Sequence, residues 1–269
     1  TRSLCDWSSD VCSSDLTPFN FAFFLAMALI VVVPVCLEEP RRVRNTTFLV
    51  LSPIVLAALA FTFVRGAWVE LGVAMLYLAV RRHKVLLLAV PLALVAALFL
   101  PGSFSSSAFS NESLADRQSG WSQNLSQAIS RPFGNGIGTT GASGEKASDV
   151  QGNALPVTVF EPDNQYYKAV YELGVLGLWM LIFLGVSVFL EARRAERRVA
   201  GLDRTLAASL GALVLGSAVA AAVSTWMEIF PNDVYLWLLL TVVVTAPSAA
   251  TTRPARTPVG TRVSWPITR

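Results

Sequence analysis

Seven apolar runs, at 18–37, 47–64, 66–80, 85–100, 167–190, 205–225 and 234–246, leave most of this chain fit only for lipid. Most approach the ~20 residues a helix needs to cross a hydrocarbon core of ~30 Å, and the shorter runs are expected to borrow flanking residues. Composition agrees: 54% of residues are hydrophobic, 14% are charged and the mean hydropathy is +0.55, against roughly 45–50% apolar and 25% charged in soluble domains. Lipid offers no water to unpaired backbone groups, so spans of this length must be helical. The expected fold class is all-α: a polytopic membrane protein with about seven transmembrane helices and one large extracytoplasmic loop.

Orientation follows from Lys and Arg, because short loops rich in them stay cytoplasmic. Placing Arg81, Arg82 and Lys84 inside brings Arg41, Arg42 and Arg44 to the same side by alternation. Arg193, Arg194, Arg197, Arg198, Arg204 and the tail arginines follow. Only Arg2, Arg65, Arg117, Arg131, Lys146 and Lys168 are left opposite. The polar stretch 101–165 is therefore expected outside the cytoplasm. The formal net charge of +3 then reads as anchors beside anionic lipid, and no nucleic-acid partner is expected.

The organisation expected is 17–100 as four transmembrane helices, 101–165 as the outer loop, 166–247 as three further helices and 248–269 as a cytoplasmic tail. Residues 1–16, TRSLCDWSSDVCSSDL, share no pattern with the rest and resemble translated sequencing-adapter read-through, so they are set aside as an artefact. Cys5 and Cys12 lie there, which leaves Cys36 alone near a helix end. No disulfide or metal framework can be argued from that.

Within the loop, Ser113 followed by Asp116 has the form of a helix start, and Trp121, Leu125 and Ile129 recur at helical spacing. Arg117 falls on the same face as Leu114 and Trp121, beside the apolar stripe. The helix is expected to end at Arg131, before Pro132. Phe133 to Gly141 is too rich in glycine for regular structure and reads as a tight, irregular turn. Gly136 to Gly141 matches G-x-G-x-x-G, but without a preceding strand and a βαβ unit nucleotide binding is discarded. Pro162 and Asp163 signal a helix beginning near Gln165.

A few polar residues stand where chemistry would be found. Arg65 lies between two apolar runs, with no other charge until Glu70. An arginine at membrane depth costs roughly 2.5–3.5 kcal/mol on insertion scales, so it faces a partner or function, or else snorkels to the interface. Arg117 is either a functional guanidinium or a loop arginine paired with Asp116. Asp163 is either an acid at the helix mouth or simply its N-cap. Tyr166, Tyr167 and Tyr171 suit an aromatic belt, as does Trp226, and Glu228 and Asp233 sit in a short outer turn. Two guanidiniums with fork geometry suit a diphosphate, and one carboxylate can accept a proton from an attacking hydroxyl.

An ordered series of motifs then carries a resemblance. Phe63-Val64-Arg65-Gly66-Ala67-Trp68, an apolar helix and the basic stop Arg81-Arg82-His83-Lys84 come first. Asp116-Arg117-Gln118-Ser119-Gly120-Trp121 and Arg131-Pro132-Phe133-Gly134-Asn135-Gly136-Ile137-Gly138 follow. Asp163-Asn164-Gln165-Tyr166-Tyr167 and Glu172-Leu173-Gly174-Val175-Leu176-Gly177 complete it. From about Phe48 to Leu190 the chain resembles the bacterial O-antigen ligase and polymerase superfamily.

The resemblance implies a glycosyltransferase of the polytopic C-type architecture in the bacterial inner (cytoplasmic) membrane, its active loop facing the periplasm. The donor would be an undecaprenyl-diphosphate-linked glycan and the acceptor a lipid-linked saccharide or lipid A core, with no cofactor and no metal. By position, Arg65 and Arg117 match the family's arginines thought to hold the diphosphate. Asp163 and Arg117 are then the catalytic candidates, and Arg65, Arg117, Arg131 and Tyr166 the substrate-binding ones. Ligases carry a His where this chain has Asp163, and the only His, His83, falls on the cytoplasmic side. That favours a polymerase, with Asp163 as base or substrate orienter, or an inactive relative. Family members usually have more spans, so further amino-terminal helices are expected before this segment.

Two readings from other classes compete. A lipid-linked glycan transporter or flippase would also use intramembrane arginines, although no internal repeat or matched pair of broken helices is visible. The other is a non-catalytic assembly protein of the cell envelope.

Overall fold

A computed structural model describes residues 18–88, 131–140 and 164–251. Its elements are α1 (Pro18–Glu38), α2 (Val43–Phe61), α3 (Arg65–Arg81), a 3-10 turn (Lys84–Leu88), α4 (Gln165–Arg198), α5 (Gly201–Ala220), a second 3-10 turn (Trp226–Glu228) and α6 (Asn232–Thr251). The described residues contain no strand. Six helices stand where six of the seven apolar runs predict them. The seventh run opens as the turn Lys84–Leu88, and from residue 89 it lies outside the described residues, as do 1–17, 89–130, 141–163 and 252–269.

Length and composition make α1, α2, α4 and α5 able to cross a membrane. Of the seven spans expected, the described residues thus supply four. Helix α3 has 17 residues, and the apolar part of α6 is the short stretch Asn232–Val242. Helix α4 has 34 residues but is broken at Gly174, and the part after the break, about 36 Å at 1.5 Å per residue, is long enough to span the hydrocarbon core and ends in Arg193, Arg194, Arg197 and Arg198.

The core is built around α5, which packs against α3, α4 and α1. In lipid there is little hydrophobic drive between helices, so close approach of backbones decides the packing, and α5 supplies small residues for it. A Cβ on Gly216 would lie 2.5 Å from the Glu70 carbonyl oxygen and 3.2 Å from Ala74 Cβ. Ala208, Leu210, Ala212 and Leu213 of α5 are buried with Phe23, Met27 and Ile30 of α1 and Ala67, Ala74 and Leu78 of α3. By contrast, Val50, Ile54 and Phe61 of α2 and Trp179, Met180 and Phe183 of α4 are exposed. Such surfaces suit lipid, not water.

One end of the bundle is tied by ion pairs. Thr205 Oγ1 donates to Glu38 Oε2 at 2.7 Å and accepts from Arg82 Nη2 at 2.6 Å, which joins α1, α5 and the end of α3. Arg81 reaches Glu196 at 3.5 Å, and Arg193 donates to the Tyr77 hydroxyl at 2.9 Å. His83 sits here too, with Nε2 3.7 Å from Glu38 Oε2. Burial pushes its imidazole below the ordinary value, the Glu38 carboxylate works against that, and Arg82 adds to it.

Candidate functional site

The opposite end gathers the start of α3, the start of α4, the end of α5 and the turn Trp226–Glu228. The chain reaches α3 through a tight turn after α2, where Phe63 takes φ 57°. A left-handed conformation at a bulky residue costs about 1–3 kcal/mol and persists only where its surroundings force it. Arg65 is the first helical residue and is exposed, its side chain making no hydrogen bond or ion pair among the described residues. Gly66 seats the helix: a Cβ there would lie 3.0 Å from Phe23 Cζ and 3.4 Å from Ser224 Cβ. Behind that contact, Phe23 stacks on the fully buried Trp226 at 4.6 Å. The mouth arginine therefore stands on a packed base of α1, α5 and the 3-10 turn.

Helix α4 begins at Gln165, as the sequence predicts, and its cap is Asn164, whose Oδ1 accepts from the amides of Tyr166 and Tyr167. Gln165 N donates to Ala221 O at 2.8 Å, and the Tyr166 hydroxyl donates to Ala218 O at 2.5 Å. Tyr166 thus ties α4 to α5 while lining an apolar cavity of about 220 Å³ with Leu181, Gly185, Val214 and Trp237. Glu228 receives the side chains of Lys168, at 2.6 Å, and Gln165.

Residues 131–140 form the irregular turn that the glycine spacing predicts. Gly134, Gly136 and Gly138 all have positive φ, at 72°, 106° and 75°. The turn lies on α4 at a break, where Gly174 takes φ 71° and ψ −171°. In a continuous helix the carbonyls of Tyr171 and Glu172 would receive amides four residues on. Here they accept from Asn135 N and Gly136 N, each at 2.9 Å. Irregular backbone in a membrane helix needs partners from the protein, and the turn supplies them here. Arg131 opens the turn, exposed, with Nη1 2.5 Å from Asn135 Oδ1.

Of the residues singled out from sequence, Arg65, Arg131 and Tyr166 belong to segments gathered at this end, whereas Arg117 and Asp163 lie outside the described residues. Two buried acids were not among them. Glu70 of α3 is fully buried, and its Oε1 accepts from Ser217 Oγ of α5 at 2.7 Å. Glu172 of α4 is 6% exposed and accepts from Thr140. Each is an acid inside an apolar run, a signal that by default marks an intramembrane acid as functional.

The O-antigen ligase family model matches residues 48–182, half of the chain. That segment holds most of α2, all of α3, the glycine turn and the broken start of α4. No curated protein and no solved structure matches the chain. With four helices long and apolar enough to cross a membrane and this match over half its length, the chain belongs to the O-antigen ligase family.

Proposed function

We propose that this protein is a membrane glycosyltransferase that moves an undecaprenyl-diphosphate-linked glycan onto a lipid-linked saccharide, acting as a polymerase, at the periplasmic face of the bacterial inner membrane. The observation that carries the reading is the two-ended bundle: Arg65 and the turn bearing Arg131 belong to the end opposite the arginine-rich cluster that contains His83. A ligase-type histidine is thus absent from the mouth, and the acid next to the α4 cap, Asp163, takes its place in the chain.

Asp163 accepts the proton of the acceptor hydroxyl as its oxygen bonds to the anomeric carbon of the donor sugar. The bond from that carbon to the diphosphate breaks, and Arg65, Arg117 and Arg131 take up the charge growing on the departing diphosphate. The apolar cavity beside Tyr166 suits a prenyl chain near the same mouth.

The test is reconstitution in liposomes with a purified undecaprenyl-diphosphate oligosaccharide, products being read on a gel. A ladder of rising repeat number that vanishes in Asp163→Ala is the result expected. A single shift seen only with lipid A core would make the protein a ligase, and no covalent product with either acceptor would overturn transfer altogether.

A further inference from the structure

The α4 break and the glycine turn fit only one another. A Cβ on Gly134 would lie 2.3 Å from the Glu172 carbonyl oxygen, and one on Gly174 would lie 2.0 Å from the Pro132 carbonyl oxygen. Both glycines also hold positive φ, so neither position tolerates a side chain in this arrangement. The backbone bonds to Asn135 and Gly136 fasten the front of the turn. Its far end is fastened differently. Glu172 Oε1 accepts from Thr140 N at 3.2 Å and from Thr140 Oγ1 at 2.5 Å, and Thr140 is 1% exposed. One carboxylate oxygen thus closes the turn from the helix that the turn completes.

Arg131 is downstream of this closure. Its guanidinium rests on Asn135 Oδ1, while Asn135 spends both its own amide and its side-chain amide, the latter at 3.1 Å, on the Tyr171 carbonyl. Among the described residues, the side-chain bond that orients Arg131 therefore runs through Asn135 to the turn's seat on residues 171–174. Two hydrogen bonds to a charged acceptor in a water-poor place are strong enough to set that seat. Satisfying the broken backbone does not itself require them, because the Tyr171 and Glu172 carbonyls are already served by Asn135 and Gly136. The carboxylate is thus an added constraint on the turn.

We propose that Glu172 is a positioning residue: by latching Thr140 it holds the turn 131–140 on the α4 break, and so sets Arg131 where the diphosphate end of a lipid-linked glycan must lie. The proposal rests on the glycosyl-transfer reading given above. It adds residues that act through Arg131 without touching substrate.

The test joins amide exchange across 131–140 with transfer kinetics, both on the reconstituted protein. Glu172→Gln keeps an acceptor oxygen and should keep both the protection of the Thr140 amide and the kinetics close to those of the unaltered protein. Glu172→Leu should speed exchange at Thr140 and raise KM for the lipid-linked donor about tenfold, the worth of one hydrogen bond to a charged group. The kcat should change much less. Thr140→Val, which alters only the turn side and leaves α4 intact, should shift KM in the same direction. In an Arg131→Ala background Glu172→Leu should add nothing to KM, a result that a merely structural role would not give. Unchanged exchange in Glu172→Leu would overturn the latch. Faster exchange with KM unmoved, while Arg131→Ala does move it, would overturn the positioning role. Absence of transfer in the unaltered protein would overturn the catalytic reading instead, and the exchange contrast tells the two failures apart because it needs no substrate.

Discussion

At the scale of single residues, geometry separates a guanidinium from a point charge. Arg65 is exposed at the first position of α3, and its side chain has no hydrogen bond or ion pair among the described residues, which on the proposed reading leaves its donors for the diphosphate. Arg65→Lys keeps the charge and the packed base under Gly66 but loses the planar fork. Transfer should fall by tenfold or more, about 1.4 kcal/mol or more of binding to the reacting diphosphate. Near-normal rates at normal protein level would sink the diphosphate role. Arg65 was legible because a lone charge between apolar runs is conspicuous in lipid. Glu172 was not read as part of the site, because its partner Thr140 is far away in sequence and no local period links them. Gly174 carries no warning either, since glycine is common in membrane helices and its φ is set by the turn that docks there.

At the scale of elements, the apolar runs predicted where six helices lie, since run length alone is enough when lipid forbids other structure. Their pairing depends on particular contacts. Helices α3 and α5 meet where Gly216 leaves room for the Glu70 backbone and Ser217 donates to the Glu70 carboxyl. Ser217→Ala strands a fully buried acid group, which should cost about 1–3 kcal/mol, read as a lower unfolding temperature in detergent. Pairing it with Glu70→Leu removes the stranded group as well, and most of the loss should return. If the double variant instead falls by the sum of its two single losses, the two residues are not coupled and α3 is held by packing alone. The same contact matters for the mouth, because α3 carries Arg65 one turn and a half above Glu70.

At the scale of the whole molecule, the bundle has two chemically unlike ends. The end with Glu38, Arg81, Arg82, Arg193, Glu196 and Thr205 is cross-linked by charge and surrounded by further arginines, the pattern that keeps short loops cytoplasmic. The other end carries Arg65, the α4 cap and the turn, all reached from short loops or from the long polar stretch. On the transfer reading proposed above, a glycan acceptor and a diphosphate would meet at this second end. Impermeant maleimide labelling tests that division in a background where Cys5, Cys12 and Cys36 are replaced. Ile137 is 84% exposed in the turn, and Arg41 is exposed in the loop after α1. Ile137→Cys should react in intact cells with an opened outer membrane, and Arg41→Cys only after the inner membrane is breached. Reaction of both from one side would break the two-ended topology. Reversal of the pattern would put the mouth in the cytoplasm, where a periplasmic glycan could not reach it, and the transfer reading would fall with it.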